Sequence, residues 1–149
     1  MPANIDPIYT RSGGIGGAVL SAANTKSDGT GTIGTDIFLL ATVDATNGGF
    51  VRAIEFWPTT SVSGTSTTNI AVGRVFHSTQ SSGATTTSNT RLIGETTLGV
   101  QTPSTTVPGF PNVVVVNHPF PAGASILATL TVLPAANTAW IAVIKYGSY

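Results

Sequence analysis

The sequence predicts an all-β fold: a single-domain β-sandwich of about eight antiparallel strands, preceded by an extended N-terminal arm. Three observations carry this. Among the 149 residues, 25 Thr, 14 Val and 11 Ile supply β-branched side chains, which lose rotamer freedom on a helix and pack well on a pleated surface. Helical periodicity is missing almost throughout. Short apolar runs recur instead between clusters of Gly, Ser, Thr, Asn and Pro, the punctuation of strands and turns.

Taken in order, residues 1–14 read as the arm and 15–149 as the sandwich. Pro2 and Pro7 forbid regular pairing in the arm, while Ile5, Ile8 and Tyr9 are apolar enough to dock on something. With Arg11, these three are the candidate assembly contacts. Gly13-Gly14-Ile15-Gly16-Gly17 lacks the preceding strand, the lysine and the helix of a phosphate cradle. It reads as a joint on which the arm swings. Strands follow near 16–23, 35–43, 50–57, 69–78, 91–98, 112–118, 125–132 and 139–146. That number in one domain suits a jelly-roll or immunoglobulin-like sandwich.

Local turns suggest how some strands pair. Asn47-Gly48 supplies positive φ cheaply, which predicts a hairpin between 35–43 and 50–57. The short turn 134–138 predicts a second between 125–132 and 139–146. Ser125 to Val132 alternates, placing one face on a core and the other nearer solvent. Residues 36–41 and 50–57 are apolar on both faces, although a sandwich strand needs only one. The second face then meets either a neighbouring subunit or covering loops of the same chain. The segments 59–68, 80–90 and 99–111 are low-complexity loops, facing solvent or ordered against a partner.

Composition excludes several functions. Six basic and six acidic residues leave zero net charge, giving no electrostatic footprint for nucleic acid or for an anionic membrane surface. The longest apolar stretches fall far short of the ~20 residues of a membrane span. The absence of cysteine removes disulfide scaffolds, thiol nucleophiles and most structural zinc sites. With 41% of residues apolar, a packed core is expected. So little charge suits a protein fixed in an assembly or living outside a cell.

Catalytic constellations are scarce. His77 and His118 combine with any of many hydroxyls, so a triad match carries no information, and they read as ordinary strand-end or loop histidines. The six carboxylates are scattered, and Asp28-Gly29 reads as a turn rather than a calcium loop. No catalytic residue, metal or cofactor is expected. Trp57, Trp140 and Tyr146 would together make a stacking platform for sugars, although both tryptophans sit in predicted strands, where aromatics usually fill a core.

Several stretches resemble one known class. They are Pro2-Ala3-Asn4-Ile5-Asp6-Pro7-Ile8-Tyr9, Ser21-Ala22-Ala23-Asn24-Thr25, Ser27-Asp28-Gly29-Thr30-Gly31-Thr32, Pro121-Ala122-Gly123 and Ala135-Ala136-Asn137-Thr138-Ala139-Trp140. In style they resemble small β-rich virion proteins of tailed bacteriophages, and in size and lack of cysteine the capsid decoration (cement) proteins. The resemblance implies a sandwich or jelly roll, commonly a homotrimer, seated on the capsid exterior against the major capsid protein. It implies no enzymatic activity. The alternative is a phage tail or fibre-associated module binding a receptor or carbohydrate through the aromatic platform.

Overall fold

The computed structural model describes residues 12–60, 66–104 and 106–149. The chain is all-β, and eight of the ten strands among the described residues form two four-stranded antiparallel sheets. The first sheet holds β1 (Ser12–Leu20), β4 (Gly49–Thr60), β8 (Asn112–Phe120) and β10 (Thr138–Ser148), in the spatial order β1-β10-β4-β8. The second holds β3 (Phe38–Thr42), β5 (Ala71–Ser78), β7 (Thr90–Leu98) and β9 (Ser125–Leu130), in the order β3-β9-β5-β7. Two short strands, β2 (Gly31–Thr32) and β6 (Ala84–Thr85), pair separately.

Alternation places the core between the sheets. Val51, Ile54 and Phe56 of β4 and Trp140, Ala142 and Ile144 of β10 meet Ala71 and Val75 of β5 and Ile126, Ala128 and Leu130 of β9. Close approach there depends on the smallest side chain. A Cβ on Gly73 would lie 2.8 Å from the Phe56 ring, so the ring occupies that space.

Neither predicted hairpin forms. β3 pairs with β9 and β4 with β10 and β8, so the Asp44–Gly48 turn carries the chain from one sheet to the other. β9 and β10 likewise lie in different sheets. The turn chemistry holds, with Gly48 at φ +77° and Asp44 Oδ1 accepting the N–H groups of Thr46 and Asn47. A tight turn reverses the chain equally well within a sheet or across a sandwich, and burial of both strands decides between them.

The glycine run is also not a joint. Ser12 to Gly17 lie inside β1, paired residue for residue with β10 from Ser12–Ser148 to Leu20–Trp140. Strand β1 thus includes residues 12–14, which the sequence reading placed in the arm. A Cβ at Gly16 would stand 2.2 Å from the Leu40 carbonyl oxygen, and one at Gly14 2.5 Å from the Tyr146 ring. The glycines therefore serve close backbone approach at the edge of the sandwich.

Strand β9 is buried along its whole length rather than half-exposed. Its outer Leu127 packs with Ile37 and Phe76 in a satellite core joined by Ile33 and Leu39. The covering segment is part of the same chain. Asp36 holds it in shape by accepting the Thr32 N–H at 2.6 Å and the Asn24 amide at 3.2 Å. Covering loops thus account for the doubly apolar strand at 36–41.

Two of the low-complexity segments also find partners within the chain. The second contributes β6, with Thr85 and Thr90 buried. In the third, Gln101 brackets Phe110, donating to its carbonyl at 2.8 Å and accepting its N–H at 2.7 Å.

Candidate functional site

The outer face of the first sheet has no such cover among the described residues. Register sets its side chains in rows: Val19, Ile141 and Trp57; Gly17, Val143, Glu55 and Val113; Ile15, Lys145, Ala53 and Val115. Ile15 is 77% exposed and Val115 67%, with Val19, Val113 and Trp57 also exposed. An apolar sheet face left in water is an unusual surface for a monomer and marks an interaction site.

One ion pair sits within this face. Lys145 Nζ lies 2.6 Å from Glu55 Oε1, and the Trp57 indole N–H donates to Glu55 Oε2 at 3.1 Å. These partners hold the Glu55 carboxyl below its ordinary pKa, the Lys145 contact contributing most. Glu55 is engaged by them, and Arg52, whose charge adds a weaker pull on the same carboxyl, forms no ion pair among the described residues.

A shared irregularity presents Arg52. Between Val51 and Ala53, β4 carries one extra residue relative to β10, while β8 passes Val116 and Asn117 over the same interval. Asn117 takes φ +44° there, a conformation uncommon for a residue with a side chain. Bulges re-aim side chains. This one opens a groove of about 440 Å³ lined by Arg52, Ala53, Glu55, Val113, Val115, Asn117 and Lys145. A shallower hollow of about 230 Å³ extends it past Phe50 and Gly147, sharing Arg52 and Lys145. The whole offers apolar shoulders with an excess of positive charge between them.

The aromatic platform does not assemble. Trp140 is 1% exposed, on the inward face between Leu20 and Pro58, and Tyr146 packs against the edge of the same core. Of the three, Trp57 alone is exposed, while the half-buried Tyr146 lines the shallower hollow with Phe50, Arg52, Lys145 and Gly147. Strand parity carries this signal. Trp140 shares its phase with Ala142 and Ile144, whereas Trp57 shares its phase with Glu55. The other candidates, Ile5, Ile8, Tyr9 and Arg11, lie outside the described residues. Arg52, Glu55, Lys145, Val113 and Val115 were not singled out by sequence reasoning. Two phases of one strand, both apolar except for Arg52 and Glu55, were the available clue.

The histidines come together elsewhere, at the β7–β8 edge of the sandwich. The Phe120 ring lies 5.4 Å from His77 and 5.3 Å from His118, centroid to centroid. His77 Nε2 is buried without a hydrogen-bond partner among the described residues. Burial depresses the His77 pKa, and the neighbouring His118 and Arg91 add to the effect. Both neighbours are basic, so the arrangement resists protonation of His77. Among the described residues, no three His, Cys, Asp or Glu gather as metal ligands would.

A pH dependence follows from His77. The unfolded chain takes up a proton near the ordinary histidine value of about 6.5, before the folded one does. Stability is therefore full above that pH and falls as the pH drops through and below it. Unfolding by urea at stepped pH should show this decline in the wild type and a shallower one in His77→Gln. The carboxylates held low by their partners, Asp28, Asp44 and Glu55, act in a separate window, below about pH 4. Equal slopes in the two proteins between pH 7 and 5 would contradict the assignment.

No family model matches the chain, and neither a curated protein nor a solved structure matches it significantly.

Proposed function

We propose that this chain is a non-enzymatic structural protein of a tailed-phage particle, a head decoration protein. In this reading it assembles with copies of itself as a trimer and seats on the capsid exterior against the major capsid protein, stabilising the shell by bridging capsomers. The observation that carries the reading is the uncovered apolar face of β1, β10, β4 and β8, set in a chain with very little charge. Contacts of that kind are weakly screened by salt and gain strength from repetition over a lattice.

The strand orders β1-β10-β4-β8 and β3-β9-β5-β7 support a jelly-roll description, with successive strands passing from sheet to sheet apart from the β5–β7 pair. Jelly rolls are frequent in viral shells and also in lectins, so this supports the reading without selecting it. The tail or fibre alternative loses support from the burial of Trp140, since a sugar platform would rest on Trp57 alone.

Quantitative mass spectrometry of purified particles tests the proposal. The expected result is a fixed, near-stoichiometric ratio of this chain to the major capsid protein. A handful of copies per particle would favour the tail or fibre, and absence from particles would overturn the virion reading.

A further inference from the structure

We infer that β8 is a contact between two copies of this chain: residues 112–116 pair antiparallel with the same residues of a second copy across a two-fold axis. Val114 faces its own counterpart, and Val113 of each copy meets Val115 of the other. The contact is two-fold, so it goes beyond the proposed trimer and stands or falls without it.

β8 is an edge without a guard. It stands last in its sheet and pairs on one side only, with β4. No other backbone hydrogen bond reaches 112–116 among the described residues. Alternate backbone donors and acceptors therefore face outward, a template for another strand. Sheet edges usually carry charge, proline, a bulge or very short length against such pairing. The other three edges of the two large sheets do better. β7 carries Arg91 and Glu95 and bulges at Ile93. β3 has five residues with an irregularity at Leu40. β1 is rich in glycine, which specifies register weakly. Asn112-Val113-Val114-Val115-Val116 has no charge and no proline, and four β-branched side chains in a row favour extended backbone.

The same stretch fits itself. It is neutral, so identical strands meet without opposing like charges. Its ends are set by Pro111, which has no N–H to give, and by Asn117, whose φ of +44° leaves the extended conformation. Opposed residues of an antiparallel pair share a face. Val113 and Val115 lie on the outer face, 45% and 67% exposed, whereas Val114 is buried on the inner one. Only registers that match outer with outer are therefore allowed, and of these the one centred on Val114 alone pairs the whole stretch. It also continues the outer face. The row Ile15, Lys145, Ala53, Val115 of one copy runs on into Val113, Glu55, Val143, Gly17 of the next. A foreign strand would satisfy the backbone alone. A second copy also matches length, charge and parity, and symmetry makes each match twice.

The chain has no cysteine, so disulfide trapping reads the register directly. Val113→Cys and Val115→Cys are made separately in the full chain, and far-UV circular dichroism with urea unfolding verifies that each is folded. Opposed residues have Cα atoms about 4.5–5.5 Å apart, within reach of a disulfide. Diagonal neighbours, 113 with 113 or 115 with 115, stand about 7–8 Å apart, at or beyond its limit. In a glutathione redox buffer the mixture of the two variants should give a disulfide-linked dimer as its main product on non-reducing gels. Either variant alone should give several-fold less. Val115→Lys, added to the Val113→Cys chain, supplies the missing guard and should lower the yield of the mixture several-fold.

No dimer in the mixture would overturn the inference and leave the edge to a strand of another protein or to another segment of this chain. Equal yields from the mixture and from the single variants would also overturn it, because random collision or another register would then account for the link. Presence or absence of the chain in phage particles alters neither result.

Discussion

Trp140→Ala is expected to lower the free energy of unfolding by about 3–5 kcal/mol, while Trp57→Ala lowers it by less than about 1 kcal/mol. The contrast follows from two strands of one sheet. Trp140 is the largest fully buried side chain, held on the inner face between Leu20 and Pro58. Removing it leaves a cavity among packed neighbours that cannot collapse without moving three strands. Trp57 stands on the opposite face and gives up one exposed hydrogen bond to Glu55. Urea titrations of the two variants check the difference through the midpoint, with the slope unchanged if the unfolded state is the same. Equal losses would mean that the outer face is buried in solution.

Gly16→Val is the second large effect, an expected loss of roughly 2–3 kcal/mol from overpacking. Its Cβ would meet the Leu40 carbonyl oxygen at 2.2 Å and crowd Ala41 and Ile144. The obstacle is backbone, which has no alternative rotamer, so β1 must lift away from β3. Gly13→Ala is the internal control, because nothing lies within 4 Å of a Cβ there. It should change stability by no more than about 0.5 kcal/mol. If the run were a joint outside the sheet, the two substitutions would behave alike in urea unfolding.

Strand existence was legible in the sequence, because burial writes itself into alternation. Phe50 to Trp57 lies inside β4, and residues 91–98 fall one short of β7. Which strand neighbours which was not legible. Asn47-Gly48 encodes a reversal and nothing about the sheet on the far side of it, so both predicted hairpins gave way to crossings between sheets. The glycine run misled for a related reason. Freedom of the backbone and tolerance of close approach are the same property of glycine, and only the position of the Leu40 carbonyl tells them apart.

The groove was half legible. The doubly apolar strands at 36–41 and 50–57 both pointed to a second set of contacts, and Ile33, Phe76 and Leu127 of the same chain satisfy the first. Arg52 was hidden because its exposure depends on a bulge shared by β8, β4 and β10, a property of three chain segments far apart in sequence.

The last two strands occupy interior places, β9 between β3 and β5 and β10 between β1 and β4. During synthesis, therefore, the second sheet cannot be completed until residues 125–130 have left the ribosome, nor the first until residues 138–148 have. Until then β1 and β4 of the nascent chain lack the strand that lies between them, and β3 and β5 wait on β9. Their apolar faces stay accessible to chaperones and to one another. Closure then demands contacts between residues far apart in the chain, which places folding in the millisecond-to-second range typical of such topologies. A ribosome-stalled series should accordingly become protease-resistant in one late step, after β10 emerges, rather than strand by strand.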